Sequence, residues 1–332
     1  MPRVRINRPA AVEGTPVTHS PPPGTPRARI PGPQQPPPPY PRIRAGLWRR
    51  CLGGGLAVWA LTAWVAYETR DSALLPTLIL LGSFLAPVAF VLWAYERHGR
   101  DLGVSAILGC FLTGGALGVL GTSLMESYLL RPSLGMFAGV GLAEETAKLA
   151  ALAFVLRGRP GIRGMRAGLV LGAAVGFGFA ALESAGYAFE AAVSTEGVDL
   201  RALLETEILR GVLVPSGHGL WTAIAGGALL SRRRLNGRFR IATPVVVTCL
   251  GVCLLHTLWD ATNGLALRAT ARLTGAGLDR PLFAQAYLTR PSAAQEHLFT
   301  LFSVGGLVLV ALAGVGWVRS LTRRDPSLRN TP

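Results

Sequence analysis

About eight apolar runs follow one another along this chain, near residues 51–68, 74–95, 103–124, 134–156, 166–190, 209–230, 242–264 and 298–318. Each approaches the ~20 residues with which an α-helix crosses ~30 Å of hydrocarbon. The 332-residue chain is 50% hydrophobic and only 15% charged. It offers no polar-faced periodic segments from which a soluble domain could be built. The expected fold is therefore an all-α polytopic membrane protein with about eight transmembrane helices. No period of 20–50 residues marks a repeat array.

The net charge of +15 comes mainly from arginine, and Lys148 is the only lysine. These arginines stand in short connections beside apolar runs, where they set membrane orientation, so nucleic acid is not an expected partner. Arg97 and Arg100 follow the second run, Arg157, Arg159, Arg163 and Arg166 the fourth, and Arg232, Arg233, Arg234, Arg238 and Arg240 the sixth. Arg319, Arg323, Arg324 and Arg329 follow the last run. With eight crossings all of these share one side, so both termini are expected in the cytoplasm. The acid-rich segment around Asp199 is then external. Arg268, Arg272, Arg280 and Arg290 fit less cleanly, but long connections obey the charge rule weakly.

Three regions follow. Residues 1–46, rich in proline and arginine, read as a disordered cytoplasmic tail that can also touch anionic lipid. Residues 47–320 form the multi-span domain, with its polar motifs in 134–264. Residues 321–332 form a short basic cytoplasmic tail. A cleavable signal peptide is not expected, because the first apolar run begins only near Cys51. The four cysteines, Cys51, Cys110, Cys249 and Cys253, show no C-x-x-C spacing and no disulfide framework.

Ionisable side chains inside a span cost about 2.5–3.5 kcal/mol each on insertion scales, so they mark functional positions. They are Glu144, Glu145 and Lys148 in the fourth run, Glu183 in the fifth, His218 in the sixth, and His256 and Asp260 in the seventh. At a rise of 1.5 Å per residue, Glu144 lies roughly 16 Å from the outer end of its run. His218 lies roughly 14 Å down, His256 roughly 12 Å, Glu183 roughly 10 Å and Asp260 roughly 6 Å. Scattered structural polar residues would have no reason to share the outer half and midplane. His19, His98 and His297 fall in the tail or in connections and read as solvated.

Spacing refines the picture. Glu144 and Lys148 are i, i+4 and can pair on one face. Glu145 points about 100° away, so one carboxylate is expected on the lysine and the other free for chemistry. His256 and Asp260 are also i, i+4, so Asp260 is expected to orient the imidazole. Cys249, Cys253, His256 and Asp260 share a face, which admits a metal reading, although cysteine is an ordinary small residue in a membrane core. Gly168, Gly172, Gly176, Ala180 and Ser184 recur every four residues, a stripe that lets another helix approach closely.

Four ordered motifs, "EETAK" (Glu144 to Lys148), "FAALE" (Phe179 to Glu183), "HGLWTAIAGG" from His218 and "HTLWD" (His256 to Asp260), resemble those of the PrsW family of intramembrane proteases. The resemblance covers roughly residues 74–265. That family is similar to the type II CAAX prenyl endopeptidases and, more distantly, to the non-proteolytic scaffold subunit of γ-secretase. The resemblance implies a multi-pass protease in the bacterial cytoplasmic (inner) membrane. Its substrates would be single-span or otherwise membrane-anchored proteins, anti-sigma factors among them. Where the prenyl endopeptidases carry a histidine in the second motif, this chain has Glu183.

Hydrolysis needs a base to activate water and groups that stabilise the oxyanion. Glu144 or Glu145 is the expected base, Glu183 would share in water activation, and His218 with His256 and Asp260 would carry protons or charge. No H-E-x-x-H is present. Metal-free glutamate catalysis, with no cofactor required, is preferred; the alternative is Zn²⁺ on His218, His256 and Glu144. Two other readings stand beside the protease. A proton-coupled transporter would also bury Glu, Lys, His and Asp, but it predicts inverted repeats and broken helices. A catalytically silent scaffold would keep the motifs for packing.

Overall fold

The computed structural model describes residues 46–129, 135–194, 197–278, 288 and 290–324. Residues 1–45 of the N-terminal tail, residues 325–332 of the C-terminal tail and part of the connection after residue 278 lie outside these residues, whereas residues 321–324, expected in the tail, continue the last helix. The described chain is almost wholly helical. Helix α1 spans Leu47–Thr69, α2 Leu75–Ala94, α3 Val104–Leu129, α4 Met136–Leu156 and α5 Met165–Ala192. A two-residue hairpin, β1 (Val193–Ser194) with β2 (Gly197–Val198), pairs Val193 with Val198 in antiparallel register. Helix α6 (Leu200–Leu213), α7 (His218–Ser231), α8 (Thr243–Thr274) and α9 (Ala293–Arg324) follow.

Five segments are long and apolar enough to cross a membrane by length and composition: Ser72–Arg97, Val104–Tyr128, Met165–Ala192, Thr243–Thr274 and Ala293–Arg323. The runs at 51–68, 74–95, 103–124, 134–156 and 166–190 each become one helix. Two expectations fail. The run at 209–230 is not one helix. Pro215 and Gly217 interrupt it, a 3₁₀ turn occupies Val214–Ser216, and α7 starts afresh at His218. Proline has no N–H to give the helical ladder, so an apolar run that contains it can read as continuous and still break. Helix α7 has 14 residues, about 21 Å at 1.5 Å per residue, too short to cross hydrocarbon alone. The seventh run, in turn, does not stop near 264. Helix α8 continues to Thr274, where Gly275 takes the left-handed conformation (φ 65°) that closes a helix.

Helix α5 is the centre of the bundle. It packs on α7 along one face and on α3 along the other, and Phe177, Ala180 and Ala181 are fully enclosed. The glycine stripe makes this approach close. A Cβ at Gly172 would overlap the carbonyl oxygen of Thr222, and one at Gly176 that of His218. On the opposite face a Cβ at Gly178 would overlap the carbonyl oxygen of Phe111. Backbones this close leave room for no side chain, which is why small residues mark such interfaces. Helix α4 packs against α3 and α8, and α9 covers α8.

At the other end of the bundle Arg233 ties two connections together. Its guanidinium donates to the carbonyls of Leu156, Arg159, Ile162 and Gly237 at 2.7–3.0 Å. The C-terminal carbonyl of α4, which also accepts from the Arg159 N–H, thereby gains a second donor.

Candidate active site

Helix α4 carries Glu144, Glu145 and Lys148 into the interior, where they are 5%, 1% and 0% exposed. The Lys148 ammonium stands 2.9 Å from Glu144 Oε2, 2.9 Å from Glu145 Oε1 and 2.8 Å from His218 Nδ1. It also lies 4.0 Å from the centre of the Phe179 ring. The expected division of labour, one carboxylate on lysine and one free, is therefore corrected. The flexible lysine stem sits between the two acids and reaches the i−4 and i−3 positions together.

His218 is the first residue of α7, and its backbone lies against Gly176 of α5. An ammonium has only donors, so Nδ1 of His218 must accept from Lys148. The ring proton of a neutral imidazole then sits on Nε2, which lies 3.0 Å from Glu183 Oε2. Glu183 is held in turn by Arg210 of α6, whose Nη2 lies 2.5 Å from the same oxygen.

His256, 1% exposed on α8, directs Nδ1 at Glu145 Oε1, 3.1 Å away. Its Nε2 faces Glu144 Oε2 at 3.6 Å and Asp260 Oδ2 at 3.5 Å. The orienting carboxylate is thus Glu145 from a neighbouring helix, not Asp260 one turn away. Asp260 Oδ2 is enclosed and has no hydrogen bond among the described residues. The rings of His218 and His256 meet edge-on with centroids 5.0 Å apart, and Trp221 packs 4.8 Å from His256. Thr222 Oγ1 reaches Glu145 Oε2 at 3.4 Å.

A cavity of about 510 Å³ opens beside this cluster. Glu144, Glu183 and Asp260 line it, with Glu126, Phe137, Phe179, Tyr187 and Glu190. Its walls come from α3, α4, α5 and α8. Glu145 and Lys148 stand behind it.

All seven residues singled out in the sequence meet in this one cluster. Arg210, Thr222 and Trp221 were missed, although Thr222 stands four residues after His218 on the same helix face. Arg210 stands at the very start of the run at 209–230, where a charged side chain gives no signal of burial. The metal reading of the cysteines has no support among the described residues. Cys249 packs among apolar side chains, and Cys253 is buried, its carbonyl against Gly141.

One donor atom each from Glu144, His218 and His256 lies within 4.8 Å of the others, so the group could hold a metal ion. The donor chemistry fits Zn²⁺: two imidazoles and a carboxylate make a catalytic set with an open position. Each imidazole also rests its remaining nitrogen on a further carboxylate, Glu183 or Glu145, the usual support of a ligating histidine. Lys148 touches two of the same donors, and since His218 Nδ1 has a single lone pair, an ion bound there would take the place of the Lys148 contact.

Paired acids, two facing imidazoles and an adjoining cavity inside a helical bundle make up the kind of site that hydrolyses bonds within a membrane. Residues 100–286, more than half of the chain, match the model of the PrsW family intramembrane metalloproteases, and the chain belongs to that family. No curated protein and no solved structure matches it.

Removing one partner of a buried ionic group typically costs about 3–5 kcal/mol, because the other charge is stranded. Lys148→Met should therefore lower the amount of folded protein in the membrane and its unfolding midpoint in detergent. A second change, Glu144→Gln, should restore part of both. A Lys148→Met chain as abundant and as stable as the native one would show that the ammonium does not balance these carboxylates.

Proposed function

We propose that this chain hydrolyses a peptide bond of a single-span or membrane-anchored protein, with an anti-sigma factor as the candidate substrate, in a bacterial cytoplasmic membrane. One observation carries the reading: Glu144 is the member of the acid pair that lines the cavity, and it also faces both histidine rings. A carboxylate at that boundary is within reach of both water and substrate. Without a bound ion, Glu144 takes a proton from the attacking water, and the water oxygen bonds to the scissile carbonyl carbon. Once protonated, Glu144 no longer claims the ammonium as a carboxylate does. The Lys148 ammonium behind Glu144 then offsets the developing negative charge through the low-dielectric interior. Glu144 passes the proton to the leaving nitrogen as the C–N bond breaks. Glu145 holds His256, Glu183 holds His218, and Asp260 flanks the reacting atoms from α8.

Formally the four carboxylates Glu144, Glu145, Glu183 and Asp260 face two cationic side chains, Lys148 and Arg210, so the cluster is two positive charges short. Buried uncompensated charge is expensive. Two protons or one divalent cation make up the difference, and the metalloprotease description of the family supports the cation. His218, His256 and Glu144 would hold Zn²⁺, which when bound would supply Lewis-acid polarisation of the carbonyl. Asp260, with its free oxygen in the cavity wall, is then the carboxylate left to move the proton.

In this reading the chain crosses the bilayer eight times, α6 and α7 together accounting for one crossing, with both termini, the proline-rich tail and the basic C-terminal tail in the cytoplasm. The arginines at 157–166 and 232–240 support that orientation. It places the cavity mouth, near Glu126, Phe137 and Glu190, towards the outer face. The transporter and the silent scaffold remain the rivals. The interruption before His218 is a feature that the transporter shares.

Three measurements bear on this. Co-expression with a panel of single-span reporter fusions should give a shortened product, and Glu144→Gln should reduce it at least 100-fold with normal abundance of the protease. Equal cleavage by the glutamine variant, or none by the native chain across the panel, would favour the scaffold. Purified protein should hold about one zinc per chain, lost on His256→Ala and kept on Cys253→Ala; a metal-poor preparation with full activity would mean that protons fill the charge deficit. Single cysteines placed near Asp199, but not near Arg233, should react with an impermeant thiol reagent in intact cells; the reverse pattern would overturn the eight-crossing topology.

A further inference from the structure

Arg210 lies outside the four motifs and outside the cavity wall, on the short helix α6 that precedes the break at Pro215. Its guanidinium nevertheless ends inside the polar cluster. Nη2 donates to Glu183 Oε2 at 2.5 Å, Nε donates to Ser184 Oγ at 2.8 Å, and the group lies 4.3 Å over the Tyr187 ring. One side chain thus reads three residues on consecutive turns of α5. The fork geometry of arginine permits this, and a lysine could not reproduce it.

Glu183 Oε2 serves two donors, Arg210 Nη2 and His218 Nε2. Among the described residues Arg210 is the arginine or lysine that contacts it. The other ring nitrogen of His218 meets Lys148, but that ammonium divides itself among three acceptors. The fixed end of His218 is therefore the Glu183 end, and Glu183 is fixed from α6. Helix α6 has its own anchorage: Leu203 is fully buried, and Glu207 accepts from Trp59 Nε1 of α1 at 2.7 Å.

We infer that Arg210 is a positioning residue for the hydrolytic reaction, which fixes Glu183 and through it the orientation of His218, and secures the acceptor for the Nε2 proton of the tautomer that Lys148 sets. The inference rests on the protease reading for its kinetic consequence, but its structural half does not. In a supported histidine site the outer partner typically contributes 10–100-fold in activity. Arg210 does not itself line the cavity and meets it only through Glu183 and Tyr187, so its loss should act on turnover more than on substrate binding.

The test uses the full-length chain and four variants: Arg210→Gln, Arg210→Lys, Glu183→Gln and the double Arg210→Gln/Glu183→Gln. The substrate is whichever single-span reporter the native chain cleaves, reconstituted with purified enzyme. Arg210→Gln should lower kcat about 10–100-fold with KM within about twofold. Arg210→Lys should recover part of kcat. The double variant should be no worse than the poorer single one, since both act through one contact. In protein labelled with ¹⁵N-histidine, native His218 should give one set of ring resonances, with Nδ1 bare and Nε2 protonated. Arg210→Gln should split or broaden that set. A native kcat in Arg210→Gln, additive losses in the double variant, or activity that only tracks the amount of folded protein would each overturn the inference. If the native chain cleaves no reporter, the protease reading fails by itself, and unchanged His218 resonances in Arg210→Gln would still refute the positioning role.

Discussion

The structure turns on one buried ammonium. Lys148 is the only lysine in the chain, it is wholly enclosed, and it meets two carboxylates and an imidazole at 2.8–2.9 Å. Taking an ion of this size out of water costs several kcal/mol even after relaxation, and only excellent geometry repays it. The geometry here is close to complete: each of the three ammonium protons has an acceptor. What Lys148 holds then determines the rest. Its contact with His218 sets that ring's proton on Nε2, which requires an acceptor at Glu183. Its contact with Glu145 holds an acid whose same oxygen fixes His256. Helices α4 and α7 are bound directly through this side chain, and α8 and α5 through the groups it holds.

Such a hub exists only because the helices come close enough to reach it. The stripe on α5 lets the backbone of α7 settle against Gly172 and Gly176, and Gly176 faces the carbonyl of His218 itself. The packing motif and the polar motif are therefore one device. Without a glycine at 176, α7 would stand off, and His218 would leave both Lys148 and Glu183. In a membrane there is no hydrophobic force to press helices together, so close contact and polar bonds between helices must supply the association.

This explains which parts of the site were legible in the sequence. Composition and run length give the helices, since both follow from the thickness of the bilayer. Depth along each run brings together Glu144, Glu183, His218, His256 and Asp260, because depth depends only on rise per residue. Rotation about each helix is another matter. It decides that Glu145, not Asp260, meets His256, and rotation is set by neighbours that lie far away in sequence. Spacing of i, i+4 proves that two residues can meet and says nothing of a better partner across the interface. Arg210 was illegible for a related reason: it enters the site from a helix that ends before the site begins. The break at Pro215 carried a local signal, a proline with a Ser-Gly pair directly after it, which the apolar character of the run outweighed.

The boundary between dry and wet surfaces completes the arrangement. Trp221 and Phe179 enclose the histidines and the ammonium, where a low dielectric strengthens every charged contact. The cavity meets this enclosed network through Glu144, Glu183 and Asp260 alone among its ionisable members. Carboxylates are the groups that can face water at low cost while remaining bonded behind. They accept through several lone pairs, so an oxygen committed to Lys148 or Arg210 leaves another for a water or a substrate amide. The histidines and the lysine, each with fixed protons and fixed partners, would lose their bonds if exposed in the same way. The position of the acids at the wall and of the cations behind them thus follows from bonding capacity. It also makes Glu144 the point at which the charge of the interior is presented to a substrate.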